Sequence, residues 1–574
     1  MGLRLLTTTL AFLPTTLSGL ASAASCTNFA APTLPGAEVL WVKSNPVADF
    51  SLPSDQTRLP EDAPKADFCN VSVALTHPGD NDTVFVTVWL PHEKSWNGRY
   101  TATGGGGLAA GYDINMLQPL LSSFATSSTD GGLTLNHTIN PQSGIWGTKH
   151  DGAVNEALLL NLAHRSIHDM SVVSKQIIKQ FYKTDPTYSY WLGCSQGGRQ
   201  GYAAAAHYPD DFNGVLAMAP ALSSEYIGPG DFWPVIVMEN EGEIVPTCVF
   251  EAFQAAIVEL CDPLDGVTDG MISDYDLLLT CPFDPKSIVG DTIDCEETGA
   301  ITISQHHATI VSKILEGPHN DYGERLWYGL AHGATFSGVA NTTLDNDILT
   351  PQPFPPSAGW LRGMIIRNTS YNIFDMTIPE YLDAFNTSIE QGGPIFGLDT
   401  LDLTSFHSFG GKLLTWVGLA DEYIHPSNLL KYYHSVEEKL NNTTTNINDF
   451  YRIFTAPGVG HCHGGVGPQP LNAMTALVDW VENGIAPETL PVQSNTVNGK
   501  VALRDLCLYP KKPVYNEGDD NSQRSFSCKD PRKEEQGKDE SGDGDEESGA
   551  KGLFGGGSWC AVGFGLVCLG FLSV

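Results

Sequence analysis

The chain has 574 residues, of which 66 are Asp or Glu and 31 are Lys or Arg, for a formal net charge of −35 at pH 7. That length can bury a large core and accommodates more than one structural unit. The charge repels phosphate backbones, so it excludes a nucleic-acid binder and belongs to a solvated acidic surface.

The N-terminus reads Met1-Gly2-Leu3-Arg4-Leu5-Leu6, then an apolar, Thr-rich run to Ala21-Ser22-Ala23. A charged start, a short apolar core and a small-x-small site make a secretory signal, expected over residues 1–24. Pro14 interrupts the run, which argues against a retained membrane helix. An oxidising destination makes the cysteines readable. Of the 12, Cys560 and Cys568 lie in the terminal apolar tail, and the even number left in the body suits five disulfides. Asn-x-Ser/Thr sites at Asn70, Asn81, Asn136, Asn341, Asn368, Asn386, Asn441 and Asn442 agree with glycosylation.

From Cys26 to Leu90 the chain reads as β-rich, and Thr83 to Leu90 alternates like a strand. Arg99 to Thr103 then runs into Gly104-Gly105-Gly106-Gly107-Leu108. Four glycines after a strand expose backbone amides. No Gly-Lys-Ser/Thr follows, which disfavours a phosphate loop. An oxyanion loop, supplying one amide of an acyl-transfer site, and a flexible linker both remain open.

Residues 155–182 carry helical periodicity and lead into the strand-like Tyr188-Ser189-Tyr190-Trp191-Leu192. Next comes Gly193-Cys194-Ser195-Gln196-Gly197-Gly198-Arg199, followed by the Ala-rich, helix-favouring stretch 200–206. Strand, Gly-x-Ser-x-Gly turn and helix form a nucleophile elbow, which exposes Ser195 and aims the following amide, that of Gln196, at the same point. The alternative is a plain Gly/Ser turn. Gly214 to Pro220 reads as another buried strand, so the surroundings are those of an α/β sheet.

From 222 to 404 loops, prolines and scattered helices dominate, and four cysteines fall between Cys248 and Cys295. This segment is expected to be an inserted lid over the sheet, shaping a pocket and excluding water. It contains Cys261-Asp262-Pro263-Leu264-Asp265-Gly266-Val267-Thr268-Asp269-Gly270-Met271. The spacing of Asp262, Asp265 and Asp269 suits either a loop around a hard cation such as calcium or an Asp/Gly surface turn.

The sheet resumes at Lys412 to Gly418 and runs into Leu419-Ala420-Asp421-Glu422-Tyr423-Ile424. A further strand, Tyr451 to Phe454, leads to Gly458-Val459-Gly460-His461-Cys462-His463. Serine, acid and histidine thus follow successive strands in the order of α/β-hydrolases. In that scheme His461 takes the proton of Ser195, and Asp421 orients the imidazole. Glu422 and His463 are the rivals, and His425 reads as a core or surface histidine. His461 is favoured because Cys194 precedes the serine and Cys462 follows the histidine. If the two side chains touch, their neighbours come within disulfide reach. Cys194 as a nucleophile is the weaker alternative, since secretion favours its oxidation.

These segments, 193–199, 418–421 and 458–462, resemble the fungal tannase and feruloyl esterase family over roughly residues 26–530. The resemblance implies an α/β-hydrolase core (25–221 and 405–530) with a large lid (222–404). It implies a secreted serine esterase acting on esters of phenolic acids. With the elbow and the glycine run read as above, Gln196, Gly105 and Gly106 are the expected oxyanion donors. The resemblance also implies calcium in the lid on Asp262, Asp265 and Asp269 with the carbonyls of Val267 and Met271. The pairings it suggests are Cys26–Cys69, Cys248–Cys261, Cys281–Cys295 and Cys507–Cys528. The competing hypothesis is a non-catalytic surface glycoprotein that kept the fold; a serine carboxypeptidase or lipase is a third.

After Cys528 the chain turns Lys/Glu/Asp/Gly/Ser-rich, and 531–550 is expected to be disordered. Small residues at 548–550, a short spacer and the apolar run from Trp559 to Val574 then fit a glycolipid-anchor signal over 551–574.

Overall fold

Continuous apolar runs such as Trp191-Leu192 and Val215-Leu216-Ala217-Met218 cannot face water on either side, so they pair as parallel strands covered on both faces. The computed structural model describes residues 26–531, apart from 53–63, 297, 347, 369, 399–401, 441–442, 494, 498–499 and 519–521. The expected signal, anchor and nearly all of the acidic segment therefore lie outside the described residues, as do Asn441 and Asn442. The described residues up to Lys529 belong to one compact unit.

Its centre is an 11-stranded sheet. In chain order the strands are β1 (Glu38–Phe50), β2 (Ala66–Thr76), β3 (Val84–Pro91), β4 (Arg99–Thr103), β5 (Ala125–Thr129) and β6 (Tyr188–Cys194). They continue with β7 (Gly214–Met218), β8 (Lys412–Gly418), β9 (Tyr451–Ala456), β10 (Thr489–Leu490) and β11 (Leu506–Leu508). The spatial order is β1-β2-β3-β5-β4-β6-β7-β8-β9-β11-β10. From β5 to β9 the pairing is parallel, and the flanking strands are antiparallel.

Register decides where chemistry can occur. Cys194 pairs with Met218, Met218 with Trp416, and Gly418 with Ala456. The loops after β6, β8 and β9 therefore leave the same edge of the sheet side by side. In parallel sheets that carboxyl edge is where ligands bind.

The predicted helix over 155–182 is interrupted. Glu156–Leu160 passes through a π turn, Asn161–Arg165, before α1 (Ser166–Tyr182). The wide turn leaves the carbonyls of Leu162 and Ala163 to accept from Arg199 Nη2 at 3.1 and 2.7 Å.

Between β7 and β8 no described residue joins the large sheet. This insertion is helical, with two small hairpins, Thr292–Thr302 and Thr342–Pro351, each pairing within itself. Two disulfides close it, and their partners differ from those the resemblance implied: Cys248–Cys295 and Cys261–Cys281. The reason is geometric. Cys248 and Cys261 lie near opposite ends of one helix, Thr247–Cys261. Thirteen helical positions separate them by about 20 Å, far beyond a disulfide's reach. Cys26–Cys69 and Cys507–Cys528 pair as expected.

Candidate active site

β6 ends at Cys194 and the next helix, α2 (Gln196–His207), begins at Gln196, so Ser195 alone makes the bend, at φ 62° and ψ −124°. A side chain tolerates that backbone only when neighbours hold it. Here the Ser195 N–H donates to Met218 O at 3.0 Å, and the Ala221 N–H donates to Ser195 O at 3.1 Å. A Cβ on Gly193 would lie 2.3 Å from Gly197 O, so strand and helix can close this tightly only over glycine.

Arg199 and the Gln196 side chain anchor the elbow from below. Arg199 is fully buried and donates to Gln196 Oε1 at 2.9 Å as well as to the two π-turn carbonyls. Burial lowers its pKa to about 10, yet it stays a cation at neutral pH. With its side chain occupied below, Gln196 faces the cleft through its amide, which as the first of α2 has no intrahelical acceptor.

The loop after β8 and the turn after β9 are tied together. Leu419 N–H donates to Ala456 O at 2.9 Å and Ala420 N–H to Val459 O at 3.0 Å. This places the fully buried Asp421 carboxylate 2.9 and 3.0 Å from His461 Nδ1. Asp421 Oδ1 also accepts from the amides of Tyr423 and Ile424, at 3.0 and 2.8 Å. Burial opposes a charge on His461, but Asp421 and then Glu422 outweigh it, so the imidazole pKa is raised above 6.5. Tyr423 packs edge-on against the imidazole at 5.2 Å.

The rivals sit elsewhere. Glu422 Oε2 accepts from the His461 backbone N–H at 3.0 Å and so braces the turn. His463 is exposed, and His425 is buried against Tyr328, with ring centroids 4.5 Å apart. Cys194 and Cys462 are disulfide-bonded, with Cα atoms 5.9 Å apart. This bond spans 268 positions of sequence and holds the adjoining residues, Ser195 and His461, in the same region. The same bond removes Cys194 as a nucleophile.

The glycine run meets the elbow, but not through the expected amide. Gly105 N–H donates to Gln200 Oε1 at 3.1 Å, and Gly105 O accepts from Gly197 N at 3.1 Å. Gly105 is thus spent on docking the loop and is not free to meet an oxyanion. Gly106 O accepts from Gln142 Nε2 at 2.9 Å, which fixes the loop beyond it. Gly107, the last glycine of the same run, lines the cleft beside Ser195. That cleft measures about 480 Å³, counting space open to solvent. Its walls are apolar, made by Leu162, Ile227, Phe354, Trp360, Phe396 and Ile424. Four of these come from the insertion, where no pattern in the sequence singled them out.

The acidic loop sits beneath the His461 turn. A Cβ on Gly458 would lie 2.6 Å from Met271 Cγ. Asp262 Oδ2 accepts from Gly270 N at 2.7 Å, and Asp265 Oδ2 from Ser273 N at 2.6 Å. Asp269 is ion-paired with Arg504, while its Oδ1 is buried without a hydrogen bond. Val267 is buried, and its N–H donates to Asp265 Oδ1 at 3.2 Å. Burial, with Asp269 and Asp262 nearby, pushes the Asp265 carboxyl up to about 7. Among the described residues no three His, Cys, Asp or Glu side chains converge as a metal cage. The donor chemistry nonetheless fits a hard cation: an orphaned carboxylate oxygen and crowded carboxyls that a positive charge would relieve.

A doubly covered parallel sheet, a serine at a strained strand-to-helix turn, and an acid–imidazole pair on neighbouring loops of its carboxyl edge define an α/β-hydrolase. The chain belongs to the tannase and feruloyl esterase family, whose model matches residues 69–529; it is a carboxylic ester hydrolase. It is 41% identical over 514 residues to a probable feruloyl esterase of Arthroderma benhamiae, covering 88% of this chain and 93% of that one. It is 30% identical over 496 residues to feruloyl esterase B of Aspergillus niger, covering 80% and 87%. Among solved structures, tannin acyl hydrolase from Aspergillus niger superposes with a TM-score of 0.76 at 24% identity, covering 87% and 92%. An esterase from Aspergillus oryzae gives 0.71 at 27%, covering 88% and 100%.

Proposed function

We propose that this protein hydrolyses esters of phenolic acids through an acyl-enzyme on Ser195. One observation carries the reading: the Cys194–Cys462 bond joins the neighbour of the serine to the neighbour of a histidine already paired with Asp421. His461 Nε2 takes the Ser195 hydroxyl proton as the oxygen bonds to the ester carbon. Asp421 on Nδ1 fixes the tautomer and stabilises the imidazolium. The charge on the former carbonyl oxygen is met by the Gln196 amide and by an amide of the glycine run at Gly106 or Gly107. Collapse expels the alcohol with the proton from His461; water then repeats the sequence and releases the acid.

The relatives at 41% and 30% identity are named feruloyl esterases, which favours hydroxycinnamate over gallate esters. Calcium would be held by Asp262, Asp265 and Asp269 with the carbonyls of Val267 and Met271, bracing the loop under the His461 turn. It takes no part in the bond changes. Five disulfides suit an extracellular site of action, and the apolar C-terminal run suits a glycolipid anchor. Release from cells by a phosphatidylinositol-specific phospholipase tests the anchor.

The activity is tested with purified protein on methyl ferulate, methyl caffeate and methyl gallate, beside Ser195→Ala. Turnover that disappears in the variant, while its circular dichroism is unchanged, supports the assignment. Turnover retained by Ser195→Ala refutes it.

A further inference from the structure

Asp231 is a buried acid that none of these steps uses. It is 6% exposed, and its Oδ2 has no hydrogen-bond partner. A buried carboxyl oxygen left unpaired is costly, so its persistence asks for a ligand. Two cavities flank it. One is the cleft holding Ser195; the other is lined by Asp421, Glu422, His425, Trp327 and Tyr328 among others. Among the described residues, Asp231 is the one lining both, and the only acidic or basic side chain in the Ser195 cleft.

Besides Ser195, Gln196, Ser224 and Ser357, the remaining walls of that cleft are aromatic and aliphatic, suited to a flat ring. A ring bound there against Asp231 satisfies the stray oxygen only if it carries a polar substituent. Burial, reinforced by Asp421 and Glu422, holds the Asp231 carboxyl well above the ordinary carboxylate range. In its acid form it can donate to a hydroxyl or accept from one.

We propose that Asp231 is a specificity-determining residue that hydrogen-bonds a hydroxyl on the aromatic ring of the bound acyl group. This rests on the ester-hydrolase reading above and adds the group that selects among aromatic esters. A site built to bond a hydroxyl rejects the analogue lacking it, because its own polar atom is then left unpaired.

The test compares kcat/KM for methyl 4-hydroxycinnamate and methyl cinnamate in the parent, Asp231→Leu and Asp231→Asn. The parent is expected to prefer the hydroxylated ester by roughly tenfold or more. Asp231→Leu should remove most of that preference while keeping kcat/KM for methyl cinnamate within about threefold. Asp231→Asn, neutral and able to donate and accept, should keep the preference. A parent that does not distinguish the two esters overturns the proposal without any variant. So does an Asp231→Leu protein that loses both activities equally or leaves the ratio unchanged. If the leucine variant does not fold, Asp231→Ala carries the same comparison. Fluorophosphonate labelling of Ser195 separates the outcomes: intact labelling with an unchanged ratio sinks this inference alone, while no labelling of the parent sinks the hydrolase reading.

Discussion

Replacing Asp421 by Asn tests the charge logic of the site most directly. Two backbone amides bond Asp421 Oδ1, so an asparagine keeps its oxygen there and turns its NH2 towards His461. His461 must then present Nδ1 as acceptor and carry its proton on Nε2, where it cannot take one from Ser195. The charge is lost as well. Two unit charges 2.9 Å apart interact by about 6 kcal/mol at an effective dielectric of about 20. At about 1.4 kcal/mol per tenfold, that approaches a 10⁴-fold loss in kcat/KM, and we expect roughly 10³- to 10⁴-fold. The assay is kcat/KM for methyl ferulate between pH 5 and 9. His461 must be neutral to act as base, and its pKa is raised, so parent activity should fall as pH drops through a value above 6.5. In the Asn variant that limb should move to lower pH, because burial then acts on the imidazole unopposed by Asp421. A variant within tenfold of the parent, with the limb unmoved and circular dichroism intact, would refute the reasoning.

Other consequences follow from the same geometry. Cys194→Ser/Cys462→Ser opens a loop closed across 268 positions, worth about 5 kcal/mol by chain entropy and about 5 °C in Tm for a chain of this size. It should also cut kcat at least tenfold at temperatures where the fold persists; unchanged turnover would remove the bridge from the mechanism. Chelation by EDTA should lower Tm by several degrees, restored by calcium, and Asp265→Ala should abolish that response. A Tm indifferent to both would leave the acidic loop a surface turn. Gly193→Ala forces a Cβ to 2.3 Å from Gly197 O and should cost about 3 kcal/mol, read as a loss of Tm or of soluble yield. Peptide mapping without reduction should recover Cys248 joined to Cys295 and Cys261 to Cys281. Recovery of the sequential pairs would contradict the described fold of the insertion.

What was legible in the sequence was what local chemistry dictates. The elbow shows because only glycines permit the approach around Ser195, and β6 to β9 show because buried parallel strands must be apolar throughout. Asp421 and His461 follow from their places after two such strands. Gly105 misled because an amide's availability depends on a distant acceptor, Gln200, and no spacing rule encodes that pairing. The pairings of the insertion's disulfides, taken from the resemblance, misled for a related reason: one helix holds Cys248 and Cys261 apart. Arg504, which reaches the acidic loop from 235 positions away, and Asp231 carry no motif at all. Both are visible only once the chain is folded around them.

The cystine beside the serine has a consequence for how the enzyme comes into being. A freshly translated polypeptide in a reducing cytosol carries every side chain of the triad, yet nothing covalent aligns them. On the proposed mechanism, competence arrives only once Cys194 and Cys462 are oxidised to a disulfide. Recombinant material made in a reducing cytoplasm should accordingly be soluble in part but at least tenfold less active, and should gain turnover when its thiols are allowed to couple.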